Sequence, residues 1–203
     1  MHITIMGLGV SDYEQLPIGI YKKLKEAKKV FVRTMEHPVL RVLQDEGIQF
    51  ESFDQVYEKH DTFLPVYQEI VEHLLEAAQS EPIVYAVPGH PLVAEQTVQL
   101  LIEAEREGKV QLAIEGGQSF LDPIFAALKI DPIEGFQLLD GTNFSIHDVN
   151  MRSHVLIAQV YDQFSASEVK LTLMEKYRDD YPITVVTGAG SSNELIKTIP
   201  LYE

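Results

Sequence analysis

Short apolar runs recur along this chain, each followed by a longer segment whose apolar positions return at helical spacing. Residues 3–6, 30–32, 49–53, 83–87 and 110–114 read as strands. Where their apolar character is continuous, it is that of strands covered on both faces. Helical spacing runs over residues 18–27, 38–46, 63–78 and 92–107. Val66, Ile70, Val71, Leu74, Leu75 and Ala78 form one stripe on the third of these, and Gly47 and Gly108 are read as helix stops. Strand followed by helix, repeated this way, predicts a mostly parallel sheet with helices on both faces.

The character shifts after Ile114. A glycine turn, Glu115-Gly116-Gly117-Gln118-Ser119, precedes a predicted helix at 120–128. Strands are expected at 136–139, 155–160 and 183–187, with a helix at 165–177. The polar stretch 142–152, with His147, Asp148 and nearby His154, reads as solvated connection. Residues 195–203 read as the start of a further strand or a linker, as in a chain cut from a longer protein. A domain boundary is placed here, giving an N-terminal α/β domain at 1–115 and a C-terminal, truncated α/β domain at 116–203.

The 203 residues allow one large domain or two small ones. With 31 acidic against 16 basic residues and a net charge of −15, the field repels nucleic acid and anionic membrane surfaces. No apolar run approaches the roughly 20 residues of a membrane span, and the start lacks the basic and apolar regions of a signal peptide. A cytoplasmic location is expected. The chain has no cysteine, and its seven histidines show no metal-ligand spacing, so no metal site is expected. GxSxG and GxxxxGK[ST] are both absent. Gly7-Leu8-Gly9 begins like a dinucleotide fingerprint, but Asp12 stands at the third glycine position, and a nucleotide-binding oxidoreductase is set aside.

Four turns at strand ends remain: GLGVSD, VPGHP, EGGQSF and TGAGSS. Turns at the carboxyl ends of strands are where open α/β sheets bind ligands, although a rigid strand-to-helix turn fits VPGHP equally well. None of the four is rich in Lys or Arg, which disfavours a triphosphate. Backbone groups and apolar walls would suit a cationic or neutral reacting centre, such as a sulfonium.

The blocks GLGVSDYEQLPIGIYKKLKEAKKVFVRT, VYAVPGHPLVAEQTVQLL, GGQSFLDPIFAALKIDPIEGFQLLDG and QVYDQFSASEVKLTLMEKYRDDYPITVVTGAG resemble the tetrapyrrole (corrin/porphyrin) methylase family. The similarity is to the N-terminal domain of bacterial fusions that carry a MazG-type nucleotide pyrophosphohydrolase as a C-terminal partner. The resemblance implies two α/β/α domains with mostly parallel sheets and a cofactor cleft between them. It implies an S-adenosylmethionine-dependent methyltransferase acting on a small-molecule acceptor, and a homodimer. Cofactor contacts carried over residue by residue are Val10, Gly89, His90, Val93, Ser119, Phe120, Gln159, Val160 and Gly188. Tyr13, His90 and Tyr161 are polar groups near the implied cleft, and none is assigned as a catalytic base.

Three departures from the family pattern stand out. His90 replaces the usual aspartate of Gly-Asp-Pro. Gly9-Val10-Ser11-Asp12 stands for Gly-Pro-Gly-Asp. The family also continues beyond Glu203 with strands that close the second sheet. A second function is therefore kept: a degenerate ligand-binding or regulatory domain of a fusion with the MazG-type hydrolase.

Overall fold

The computed structural model describes residues 1–203, which fall into two compact units, Met1–Asp122 and Pro123–Glu203. The first unit contains, in order, β1 (His2–Gly7), α1 (Ile18–Glu26), β2 (Val30–Val32), α2 (Pro38–Asp45), β3 (Glu51–Ser52), α3 (Asp54–Lys59), α4 (Phe63–Ala77), β4 (Ile83–Val87), α5 (Gln96–Arg106) and β5 (Gln111–Glu115). Its five strands are parallel, in the order β3-β2-β4-β1-β5.

Side chains alternate between two covered faces, which explains why the inner strands β2 and β4 are apolar throughout. Ile3, Ile5, Phe31, Ile83, Tyr85 and Val87 point to one face, where Val56, Val66, Ile70, Leu74, Val98 and Leu101 of α3, α4 and α5 cover them. Met6, Val30, Val32, Val84 and Ala86 point to the other, against Ile20 and Leu24 of α1 and Val39, Leu40 and Leu43 of α2. One sheet therefore supports two cores. The expected mostly parallel α/β fold is the one observed.

Local departures have local causes. The strand expected at 49–53 is only Glu51–Ser52, because Phe53 opens the unexpected α3. Asp54 of that helix accepts the Met35 amide at 2.9 Å. The helix expected from Leu92 begins at Gln96, since Ala94 lies in the left-handed region at φ 54°. No helix is long and apolar enough to cross a membrane.

In the second unit, α6 (Leu121–Leu128) begins just before the division. β6 (Phe136–Asp140) pairs in parallel with β7 (His154–Ala158), and α7 (Gln163–Met174) precedes β8 (Pro182–Thr187) and β9 (Leu195–Pro200), which pair antiparallel. The sheet expected to be mostly parallel here is two separate pairs. The connection 188–194 is too short for the crossover that a parallel β8–β9 pair would need. Val149, Leu173 and Leu201 form the small core, with Leu139, Val155, Ile157, Val169 and Ile183 packed on it. The division lies after Asp122, not at 115/116. The 116–122 turn stays with the first unit because Gly117 rests directly on the Gly7 backbone.

Candidate functional site

Sheet order determines which turns meet. β1 and β4 are neighbours, yet the chain leaves β1 for α1 on one face and leaves β4 for α5 on the other. Adjacent strands whose connections part in this way form a switch point, with a crevice at their carboxyl ends. The register sets Gly7 beside Val87 and Met6 beside Glu115, so β1, β4 and β5 end nearly flush. Their three turns converge there.

The convergence is locked by backbone. The Leu8 amide donates to Val87 O at 2.8 Å, Gly9 to Gly89 O at 3.2 Å and Gly89 to Gly9 O at 2.6 Å. Gly9 and Gly89 hold φ of 77° and 66°, conformations that glycine adopts without a steric cost. A Cβ at Gly117 would lie 2.7 Å from Gly7 Cα and from Gly7 O. These glycines are therefore demanded by close backbone approach, whatever else the crevice does.

Two histidines support the turns. Buried His37 caps α2: its Nδ1 accepts from the Val39 amide at 3.3 Å, which leaves Nε2–H to donate to Gly9 O at 2.9 Å. The ring is thus neutral, and burial holds its pKa below the ordinary 6.5. A depressed pKa gives stability that is complete above 6.5 and is lost as pH falls below it. In urea titrations, the wild type is expected to lose more stability between pH 7 and 5.5 than His37→Gln does. Parallel pH curves for the two proteins would contradict this role.

His90 stands where an aspartate was expected from the resemblance, and its imidazole does part of an aspartate's local work. Nδ1 accepts from the Leu92 amide at 3.1 Å, two residues on, as an Asx turn does. A Cβ on Gly116 would be 3.5 Å from its Nε2, so the ring lies beside the β5 turn. His90→Asp is expected to keep the Leu92 bond and its stability. His90→Ala is expected to lose about 1 kcal/mol in thermal or urea unfolding.

The other expected contacts divide between the units. Val10 lies against Gly89, its Cγ1 being 3.7 Å from where a Cβ on Gly89 would sit, and the Val93 amide donates to His90 O at 3.0 Å. Ser119 is buried, and its hydroxyl caps α6, accepting from the Leu121 amide at 3.2 Å and facing Asp122. Phe120 is half-buried next to it. Val10, Gly89, His90, Val93, Ser119 and Phe120 all belong to the converging turns. Gln159, Val160 and Gly188 belong to the second unit. Gln159 follows β7 at φ 64°, Val160 packs over Gly141, and Gly188 turns at φ 59° to accept from Ser191. A cavity of about 680 Å³ lies beside α1, lined among others by Lys23, Glu115, Gly116, Gly117 and Gln118. It shares only the β5 turn with the expected contacts.

Residue-by-residue reading missed one cluster. Arg33 directly follows β2, and its amide donates to Ala86 O at 3.1 Å. Its Nη1 is 3.5 Å from Oε2 of Glu95, a carboxylate only 4% exposed. Glu95 Oε1 accepts from Thr97 Oγ1 at 2.9 Å, and the Thr97 and Tyr85 hydroxyls lie 3.0 Å apart. Burial raises the Glu95 carboxyl above its ordinary value, against the pull of Arg33 and Thr97. Burial also pushes the Tyr57 phenol up to about 12 and raises that of Tyr67, with Arg33 opposing both. The available signal was an arginine at the carboxyl end of an apolar strand.

Among known proteins, the model of the family "Tetrapyrrole (Corrin/Porphyrin) Methylases" matches residues 2–203. "Uncharacterized protein YabN" of Bacillus subtilis is 54% identical over 201 residues, covering 99% of this chain and 41% of that protein. Diphthine synthase of Archaeoglobus fulgidus is 28% identical over 114 residues, covering 56% of this chain and 43% of that protein. The chain thus spans about two fifths of the length of these relatives. A solved diphthine synthase superposes with a TM-score of 0.69 at 19% identity, over 100% of this chain and 83% of that one. A Thermus thermophilus uroporphyrin-III-C-methyltransferase gives 0.71 at 15%, over 99% and 86%. These two likenesses are likenesses of fold. The family match along the whole chain, with the glycine turns at the end of a parallel sheet, places this protein in the tetrapyrrole methylase family.

Proposed function

We propose that this chain is the methyltransferase domain of an S-adenosylmethionine-dependent enzyme, with the converging turns of the first unit as the cofactor's seat. The observation that carries the reading is the backbone-built crevice at the β1/β4 switch point. Residues 7–12, 88–93 and 116–120 include no lysine or arginine. Such a lining does not suit a polyphosphate, and it does suit a cation held by carbonyl groups and apolar contact. Val10, Gly89, His90, Val93 and Phe120 would hold the cofactor, with Ser119 shaping the turn from below.

When bound, the cofactor supplies an electrophilic methyl group on a cationic sulfur that leaves with the bonding electron pair. What the chain contributes is position. Methyl transfer is an in-line displacement, and fixing the geometry of two reactants is itself a large part of catalysis. The Gly9–Gly89 bridge and the His37 bond to Gly9 O fix the crevice floor before any ligand arrives, with the His90 ring beside Gly116. The methyl acceptor is a small molecule in this reading, and the protein acts as a homodimer in the cytoplasm.

A second reading is supported by length. A relative such as YabN has most of its chain outside the matched region, leaving room for a MazG-type pyrophosphohydrolase that this domain would regulate through ligand binding. Isothermal titration separates the two. Binding of both S-adenosylmethionine and S-adenosylhomocysteine at micromolar Kd, with methyl transfer from the former, is expected of the enzyme. Lack of binding by the protein carrying all its domains would overturn the methyltransferase reading.

A further inference from the structure

The geometry points to a second subsite: Arg33, Tyr57 and Tyr67 receive a small aromatic molecule bearing one carboxylate, with its ring laid along Tyr67 and Phe63. Taking this ligand as the methyl acceptor rests on the methyltransferase reading; the subsite itself does not.

Three observations converge on Arg33. Its Nε is buried with no acceptor, and a buried polar group without a partner calls for one. A guanidinium has five donors, whereas the protein's nearest carboxylate, Glu95, meets it at 3.5 Å through one oxygen, the other being turned to Thr97. Arg33 thus has its charge balanced while its Nε–H is left without an acceptor. A carboxylate, planar and bidentate, is the group that matches that fork.

The walls specify the rest of the ligand. Tyr57 and Tyr67 pack edge to face with centroids 6.5 Å apart, and Phe63 stacks on Tyr67 at 6.1 Å and 11°. Phe63 is 67% exposed, so the aromatic strip runs from solvent inward to the tyrosines beside Arg33. All of these groups stand at the carboxyl edge of the sheet: Arg33 after β2, Tyr57 on the helix after β3, Phe63 and Tyr67 in the first turns of α4. One guanidinium, with the Glu95 carboxylate as its acidic neighbour, accommodates one carboxylate and repels a second. The subsite therefore selects a monocarboxylate.

The test uses 1-naphthoate as probe, with 1-naphthalenemethanol as its uncharged counterpart, on the 15N-labelled protein. Naphthoate is expected to shift the Arg33 Nε–H resonance in a saturable way, at least about 10-fold more tightly than the alcohol. Arg33→Lys keeps the charge opposite Glu95 but loses the fork, and should weaken naphthoate by about 10-fold. Tyr67→Phe should weaken it by a smaller factor. S-adenosylhomocysteine affinity should stay within about twofold in both variants. An unmoved Arg33 Nε–H resonance, or equal binding of probe and alcohol, overturns the subsite even where S-adenosylhomocysteine binds. Naphthoate bound at Arg33 in a protein that ignores S-adenosylhomocysteine upholds the subsite and overturns the methyltransferase reading.

Discussion

Gly117→Ala is expected to cost about 3 kcal/mol of unfolding free energy and to abolish ligand binding at the crevice. The added methyl would meet the Gly7 backbone at Cα, O and C, all at 2.7–2.8 Å. Backbone at the end of a central strand cannot swing aside as a flexible side chain can, so β1 and the β5 turn must part. Parting them also strains the Gly9–Gly89 bridge, because Gly7 sits at the root of that turn. Gly19→Ala is the control. It lies in α1 with nothing within 4 Å of the new methyl, and helix propensity favours alanine by up to about 1 kcal/mol. Urea denaturation of the two variants should therefore give shifts of opposite sign. A Gly117→Ala protein as stable as wild type would show that the turns are not packed backbone on backbone.

Arg33→Met is expected to cost about 3 kcal/mol, since it leaves the 4%-exposed Glu95 carboxylate without a counter-charge. The double variant Arg33→Met/Glu95→Gln should recover most of that loss, because a neutral amide can still accept from Thr97. The pH dependence carries the sign. Glu95 already titrates above its ordinary 4.5, and removing Arg33 removes the main attraction that opposes burial. A raised carboxyl pKa makes stability fall as pH rises through it. Arg33→Met should thus gain stability when the pH is lowered from 7 to 5, relative to the double variant. Identical pH profiles would mean that Glu95 carries no buried charge.

Much of the first unit was legible because its strands are apolar on both faces and its helices carry clean stripes. Of the stripe expected at Val66, Ile70, Val71, Leu74, Leu75 and Ala78, all but the half-buried Leu75 are buried, and Ile83–Val87 is the strand expected. The turns expected to gather at the sheet's carboxyl edge do so in the first unit. What stayed hidden depends on strand order, which no local pattern encodes. Arg33 and Glu95 are far apart in sequence and meet only because β2 lies beside β4. The second unit was less legible because its stripes are weak: α7 buries only Leu173, and the β8–β9 pair leaves most side chains exposed. His90 looked like a loss of function when compared with an aspartate. Its Nδ1 nevertheless accepts from the Leu92 amide, so the imidazole supplies one of the turn's local hydrogen bonds.

Whether the converging turns seat S-adenosylmethionine is read directly by backbone hydrogen exchange with and without S-adenosylhomocysteine. Slowed exchange is expected in the first unit only at residues 9–12, 89–93 and 116–120, with the far ends of the same strands unchanged. Unaltered exchange at all three turns under saturating S-adenosylhomocysteine would contradict it.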